Sequence, residues 1–152
     1  MALATADIIA QVASHAQTLG VFEQVRQHEP KNAPGLGLNV AVWVDRMGPV
    51  PARSGLASTT CLIVLNVRVY NPMTEEPQDG IDPKVLAAVD ALMAAYSADF
   101  DLGGTVEQVD LLGAYGPALE ARAGYLTQDQ KVYRVMVLTV GLIVDDLWAQ
   151  SA

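Results

Sequence analysis

Basic residues are scarce in this 152-residue chain: nine Lys and Arg stand against seventeen Asp and Glu, a net charge of −8. They are scattered, and no basic run exists. Binding to a phosphate backbone needs clustered Lys and Arg, so the composition argues against general affinity for nucleic acid. An acidic surface can still surround DNA without gripping it. Cysteine is nearly absent as well. Cys61 stands alone, which excludes an internal disulfide framework, and within an apolar run it reads as a buried thiol. Two histidines, His15 and His28, leave few bases for catalysis. No apolar run approaches the ~20 residues of a membrane span. The start, "MALATADIIAQVASHAQ", lacks the basic stretch of a secretory signal. The expectation is a soluble protein made in a cytoplasm.

What is present is apolar: 51% of residues, against 17% charged. A chain of this length buries a proper core as one domain, residues 1–152. Its lightly charged surface leaves room for cover by partner subunits.

The pattern from Leu3 to Leu19 is helical. Ile8, Val12, His15 and Leu19 share a face, with Ile9 and Ala16 beside it, and Gly20 follows as a C-cap. Val21–Glu29 reads as a first strand, and Pro30–Gly37 as a loop. Leu38–Met47 alternates as a strand, with Leu38, Val40, Val42 and Val44 on one side. Gly48–Gly55 then reads as a loop, and Ser58–Tyr70 as an unusually long strand. Its face of Cys61, Ile63, Leu65, Val67 and Val69 is wholly apolar and should meet the core. The opposite face, Thr60, Leu62, Val64, Asn66, Arg68 and Tyr70, is mixed and suits an interface or a partly wetted surface.

A second helix should follow Asn71–Gly80, capped by Asp82, with Pro83 in its first turn. Its stripe is Val85, Leu86, Val89, Leu92, Met93 and Tyr96. Thr105–Leu112, Leu119–Thr127 and Lys131–Asp145 read as three more strands, the last two joined by a tight polar turn at Gln128–Gln130. Arg134 breaks the last strand's alternation, and Gly141 marks a bulge or a close backbone approach. This order predicts an α+β fold: a twisted, mostly antiparallel sheet with two helices packed on one face, and a long hairpin extension.

Chemistry is hard to assemble from these residues. His15 reads as a packed residue at a core margin and His28 as a surface residue; "HEP" lacks the second histidine of a zinc-protease helix. Asp145 and Asp146 are adjacent at a strand end, where neighbours point to opposite faces and converge poorly on a cation. Asp99 and Asp101 read as turn residues. Gly35–Gly37 lacks the third glycine of a dinucleotide loop, and "RSGLAS" holds no G-x-S-x-G elbow. No nucleophile, base and oxyanion donor can be named, so the reading is of a protein that is not an enzyme, with no catalytic, cofactor or metal site. The candidates are contact residues instead. Arg46, Met47, Pro49, Val50 and Arg53 lie around the central loop, which is either plain solvent loop or a contact arm. Arg68 and Tyr70 lie on the mixed face, and Trp148 either closes the core or anchors on a partner.

Three stretches carry a family resemblance: "FEQVRQHEPKNAPGLGLNVAVWVDRMGPVPARSGLASTTCLIVLNVRVYN", "EEPQDGIDPKVLAAVDALMAAYSADFDLGGTVEQVDLLG" and "ARAGYLTQDQKVYRVMVLTVGLIVDD". Together they cover most of residues 22–146 and resemble the tail terminator (tail completion) proteins of long-tailed bacteriophages, the actinophage type in particular. The resemblance implies a virion protein, assembled in the host cytoplasm. It forms a ring, a hexamer in that family, that caps the head-proximal end of the tail tube and stops its growth. The implied partners are further copies of itself, the tail tube protein and the head–tail connector. DNA would pass through the channel without specific binding, helped by the roughly −48 charge of six such chains. Two alternatives stand beside it: another virion ring protein (a head–tail adaptor or tail tube subunit), and a small cytoplasmic enzyme or ligand-binding α+β domain.

Overall fold

The computed structural model describes residues 3–55 and 58–149. Its elements run α1 (Thr5–Leu19), β1 (Gln24–Arg26), β2 (Asn39–Pro49), β3 (Ser58–Pro72), α2 (Ile81–Ala98), β4 (Gln108–Val109), β5 (Glu120–Gln128) and β6 (Lys131–Ala149). The six strands form one curled sheet in the order β1-β2-β3-β6-β4, with β5 also paired to β6. Every pairing is antiparallel except β1 with β2.

Strand alternation decides which face the helices cover. Val40 and Val42 of β2, the odd residues from Cys61 to Val69 of β3, and Leu138, Val140 and Leu142 of β6 point the same way. Ile8, Val12, Ala13 and Ala16 of α1, with Val85, Val89, Leu92 and Tyr96 of α2, pack onto them in one buried cluster. The Tyr96 hydroxyl donates to the Val12 carbonyl at 3.0 Å and joins the two helices. Burial pushes the Tyr96 hydroxyl far above the usual tyrosine range, so it stays a donor. Gly20 ends α1 in the left-handed conformation, as expected of a C-cap glycine.

Four readings change. The first strand shrinks to Gln24–Arg26 and runs parallel to β2, because only that segment lies beside Asn39–Ala41 before Pro30 and the loop turn the chain. The strand expected at Thr105–Leu112 shrinks to Gln108–Val109. Residues Leu102, Gly103 and Gly104 hold positive φ and form a turn that pushes Leu102 into the core. β4 and β5 then share one edge of β6 in succession, which leaves β4 little room. Asp82 makes no cap; its carboxylate accepts from Arg134 Nε at 2.9 Å instead. Leu86 leaves the buried stripe and is 59% exposed.

Other expectations hold. Asp129 and Gln130 form the tight turn between β5 and β6, both at positive φ as a two-residue hairpin of the type I′ kind requires. Gly141 marks a close approach, since a Cβ there would sit 3.3 Å from the Pro117 carbonyl oxygen while the β3–β6 register runs through it unbroken.

Candidate subunit interface

The β2–β3 hairpin begins the candidate surface. Its β2 arm runs through Gly48 and Pro49, two residues further than the alternation suggested. The ladder slips by one residue at Asp45, between Val44 and Arg46. Such a bulge bends the strand and raises its twist. Beyond Ala41 the outer edge of β2 has no neighbour among the described strands.

The described residues of the hairpin tip are hydrogen-bonded to one another and to β3. Val50 N–H donates to the Thr60 carbonyl at 2.8 Å, the Ser54 hydroxyl donates to the Val50 carbonyl at 2.7 Å, and Gly55 N–H donates to the Ser58 carbonyl at 3.1 Å. Pro51–Arg53 forms a short 3-10 turn inside these bonds. Val50, Ser54 and the backbone of Gly55 make these bonds, which fold the loop back onto β3.

The eight contact candidates therefore divide. Arg46, Met47 and Pro49 are exposed on β2, Met47 at 49%. Val50 and Tyr70 are corrections. Val50 packs with Leu62, Val64 and Ile143 under Tyr115, and Tyr70 lies edge-on to Tyr133, so the subunit itself buries both. The side chain of Arg53 lies outside the described residues. Arg68 is half-buried, its guanidinium 4.7 Å over the Trp43 ring and 5.8 Å from that of Tyr70, with the Glu29 carboxylate 4.0 Å away. Its Nε is buried without a partner. Trp148 is 38% exposed at the end of β6, where Leu147 takes the core position.

Sequence reasoning missed the second open edge. β5 pairs with β6 along its whole length without a register break, and its other side is free among the described strands. Tyr125 on β5 is 66% exposed and lies under Arg134, 4.5 Å from its ring. Leu86, Ala123 and Met136 line an apolar groove beside this edge. The run "EARAGYLTQ" without proline was the available signal, but its place at an edge depends on β6 being shared with β3.

The remaining polar groups serve the fold. His15 Nε2 lies 2.8 Å from Asp99 Oδ2, and the ring is edge-on to Tyr96. His28 is exposed. Asp145 accepts from the Thr60 hydroxyl and Asp146 from the Ser58 hydroxyl. The donors Ser58 and Thr60 are two apart on β3 and share a face; the adjacent Asp145 and Asp146 both reach them because the register break at Thr59/Cys61 and the positive φ of Asp146 overturn simple alternation on β6. Burial raises the Cys61 thiol above its ordinary range. Among the described residues no three His, Cys, Asp or Glu side chains group as metal ligands, and no helix is long and apolar enough to cross a membrane. No protein-family model matches the chain, and no curated protein matches it significantly.

Proposed function

We propose that the chain is a structural virion subunit: a tail terminator that assembles into a ring, caps the head-proximal end of the tail tube, ends its growth and meets the head connector. The observation that carries this reading is a single sheet with two long edges, at its opposite ends, that are unpaired among the described residues: β2 beyond Ala41 and the whole of β5. Regular open edges are an aggregation hazard in a protein that stays alone. Two different edges on opposite sides suit a head-to-tail contact, and such contacts generate closed rings or open filaments. The six-fold number comes from the family resemblance. The exposed Arg46, Met47 and Pro49 beside the hydrogen-bonded turn at Pro51–Arg53 offer a surface toward a neighbour or the tube. By contrast, the groove of about 460 Å³ between Leu36, Met73 and Val132 has only Lys131 and Tyr133 as ionisable lining groups, a poor basis for acid–base chemistry.

The test is negative-stain electron microscopy of the purified chain, alone and with isolated tail tubes. Rings, or caps at one tube end only, are expected. Long tubes from the chain alone would move the reading to a tail tube subunit. A persistent monomer that ignores tube ends would sink it.

A further inference from the structure

We infer that the free edge of β2 in one copy, Val42–Pro49, pairs antiparallel with the outer edge of β5 in the next copy, seating Val44 and Met47 beside Tyr125 and Leu86. The inference rests on the ring reading and names the contact that would close the ring.

Strand direction is the first argument. Along β2, β3, β6 and β5 each strand runs antiparallel to the last. A second copy placed head to tail in the same orientation therefore brings its β2 antiparallel to β5, and the alternation continues across the boundary. A partner turned the other way would break it.

Side chains are the second. Val44 and Met47 pair with Leu65 and Ile63, so they lie on the helix-covered face, and they are 47% and 49% exposed. Ala123 and Met136 pair with each other on that same face, where they line the groove with Leu86. Leu86 and Tyr125 are 59% and 66% exposed. Four large apolar side chains thus flank the two open edges on one face of the sheet. Joined, each set covers the other; apart, both face water.

Stagger is the third. Gly124 of β5 is level with Val135 of β6, Tyr70 of β3 and Asn39 of β2. Asn39–Ala41 is occupied by β1, so the free edge of β2 is centred near Asp45, about six positions or ~20 Å further along the strand. Four strands span ~19 Å across. A rise of ~20 Å over that width inclines the strands by about 45° to a ring axis, close to the ~35–45° of closed barrels. Without that inclination the copies would climb as a staircase. The bulge at Asp45 supplies bend at the joint itself.

The test uses the full chain carrying Met47→Cys and Ala123→Cys, oxidised during assembly. Buried Cys61 stays silent. The double variant should give a covalent ladder of multimers on a non-reducing gel, while each single variant stops at a dimer. Rings without a ladder would overturn this contact and leave the ring reading standing; a parent that never assembles, even with tail tubes, would overturn both. Leu86→Glu, at a position exposed in the single subunit, should leave the melting temperature of the unassembled subunit unchanged and lower the assembled fraction at least tenfold. Assembly at the parental level would also overturn the contact.

Discussion

The two faces of β3 are both buried, yet by different means. On one face Cys61, Ile63, Leu65, Val67 and Val69 meet two helices and merge into one continuous core. On the other, burial is broken into two islands. Leu62 and Val64 lie under Val50 and Tyr115, while Tyr70 lies with Tyr133, Val135 and Ala41. Between the islands Trp43, Asn66 and Arg68 remain partly exposed. Regular elements seal a face completely; loops cover it in patches and leave polar groups at the gaps.

The sharpest way to break this comparison is to remove the same methyl groups from each face. Leu65 has 0% exposure against the helices and Leu62 has 6% under a loop. Leu65→Ala should cost about 3 kcal/mol, and Leu62→Ala less, about 2 kcal/mol, because a loop collapses into a cavity more readily than two helices do. Urea unfolding measures both. The loop also presses on Leu62: a Cβ on Gly116 would come within 2.5 Å of Leu62 Cδ2. Gly116→Ala alone should therefore destabilise, and Leu62→Ala should relieve most of that cost, a coupling of about 1 kcal/mol. Equal losses at the two leucines would show that the loop packs as firmly as the helices, and strict additivity would show that Gly116 does not bear on Leu62.

The same division explains what was legible beforehand. Both helices, the long β3 and β6, and the α+β layering followed from spacing, because the helix-covered face is apolar at every second residue. Val50 and Tyr70 were misplaced for the opposite reason. Their cover comes from Tyr115, 65 positions after Val50, and from Tyr133, 63 positions after Tyr70, so no local pattern announces it. Asp82 looked like a cap because nothing nearby shows that Arg134 will claim it. The β5 edge was read as a strand but not as an edge, since edge status follows from which strand β6 takes on its other side.

A smaller effect probes the gap between the islands. Arg68 gains from stacking on Trp43 and Tyr70 but carries a buried Nε with no partner. A desolvated cation–π contact contributes about 2 kcal/mol, and an unsatisfied buried donor costs about 1–3 kcal/mol, so the two nearly cancel. Arg68→Met keeps the stem packed and drops both, together with the long Nη1 contact to the Tyr70 hydroxyl at 3.5 Å and the exposed approach to Glu29 at 4.0 Å, each a small contribution. Its unfolding free energy should stay within about 1 kcal/mol of the parent. A loss of twice that would mean the aromatic contact dominates, and that the patched face is held as tightly as the sealed one.

The smallest effect lies on the rim of the sealed face, where α1 meets the turn after α2. The Gly103 N–H donates to the Asp99 carboxylate and, with His15 adding a second contact, holds its pKa below the ordinary 3.8. A carboxylate whose pKa is lower in the folded state stabilises the fold above its unfolded pKa, and that contribution is lost as pH falls through the folded value. Asp99→Asn can still accept from Gly103, so the cost near neutrality should be under about 1 kcal/mol. The variant should then lose less stability than the parent as pH falls from about 5 to below the ordinary carboxylate range. Glu75, held low by Lys84 and Asn71, titrates in both chains and leaves a shared acid decline. Urea midpoints measured at steps of pH separate the two: converging curves are expected, and parallel ones would remove Asp99 from the acid response and leave its turn a purely steric plug behind Leu102.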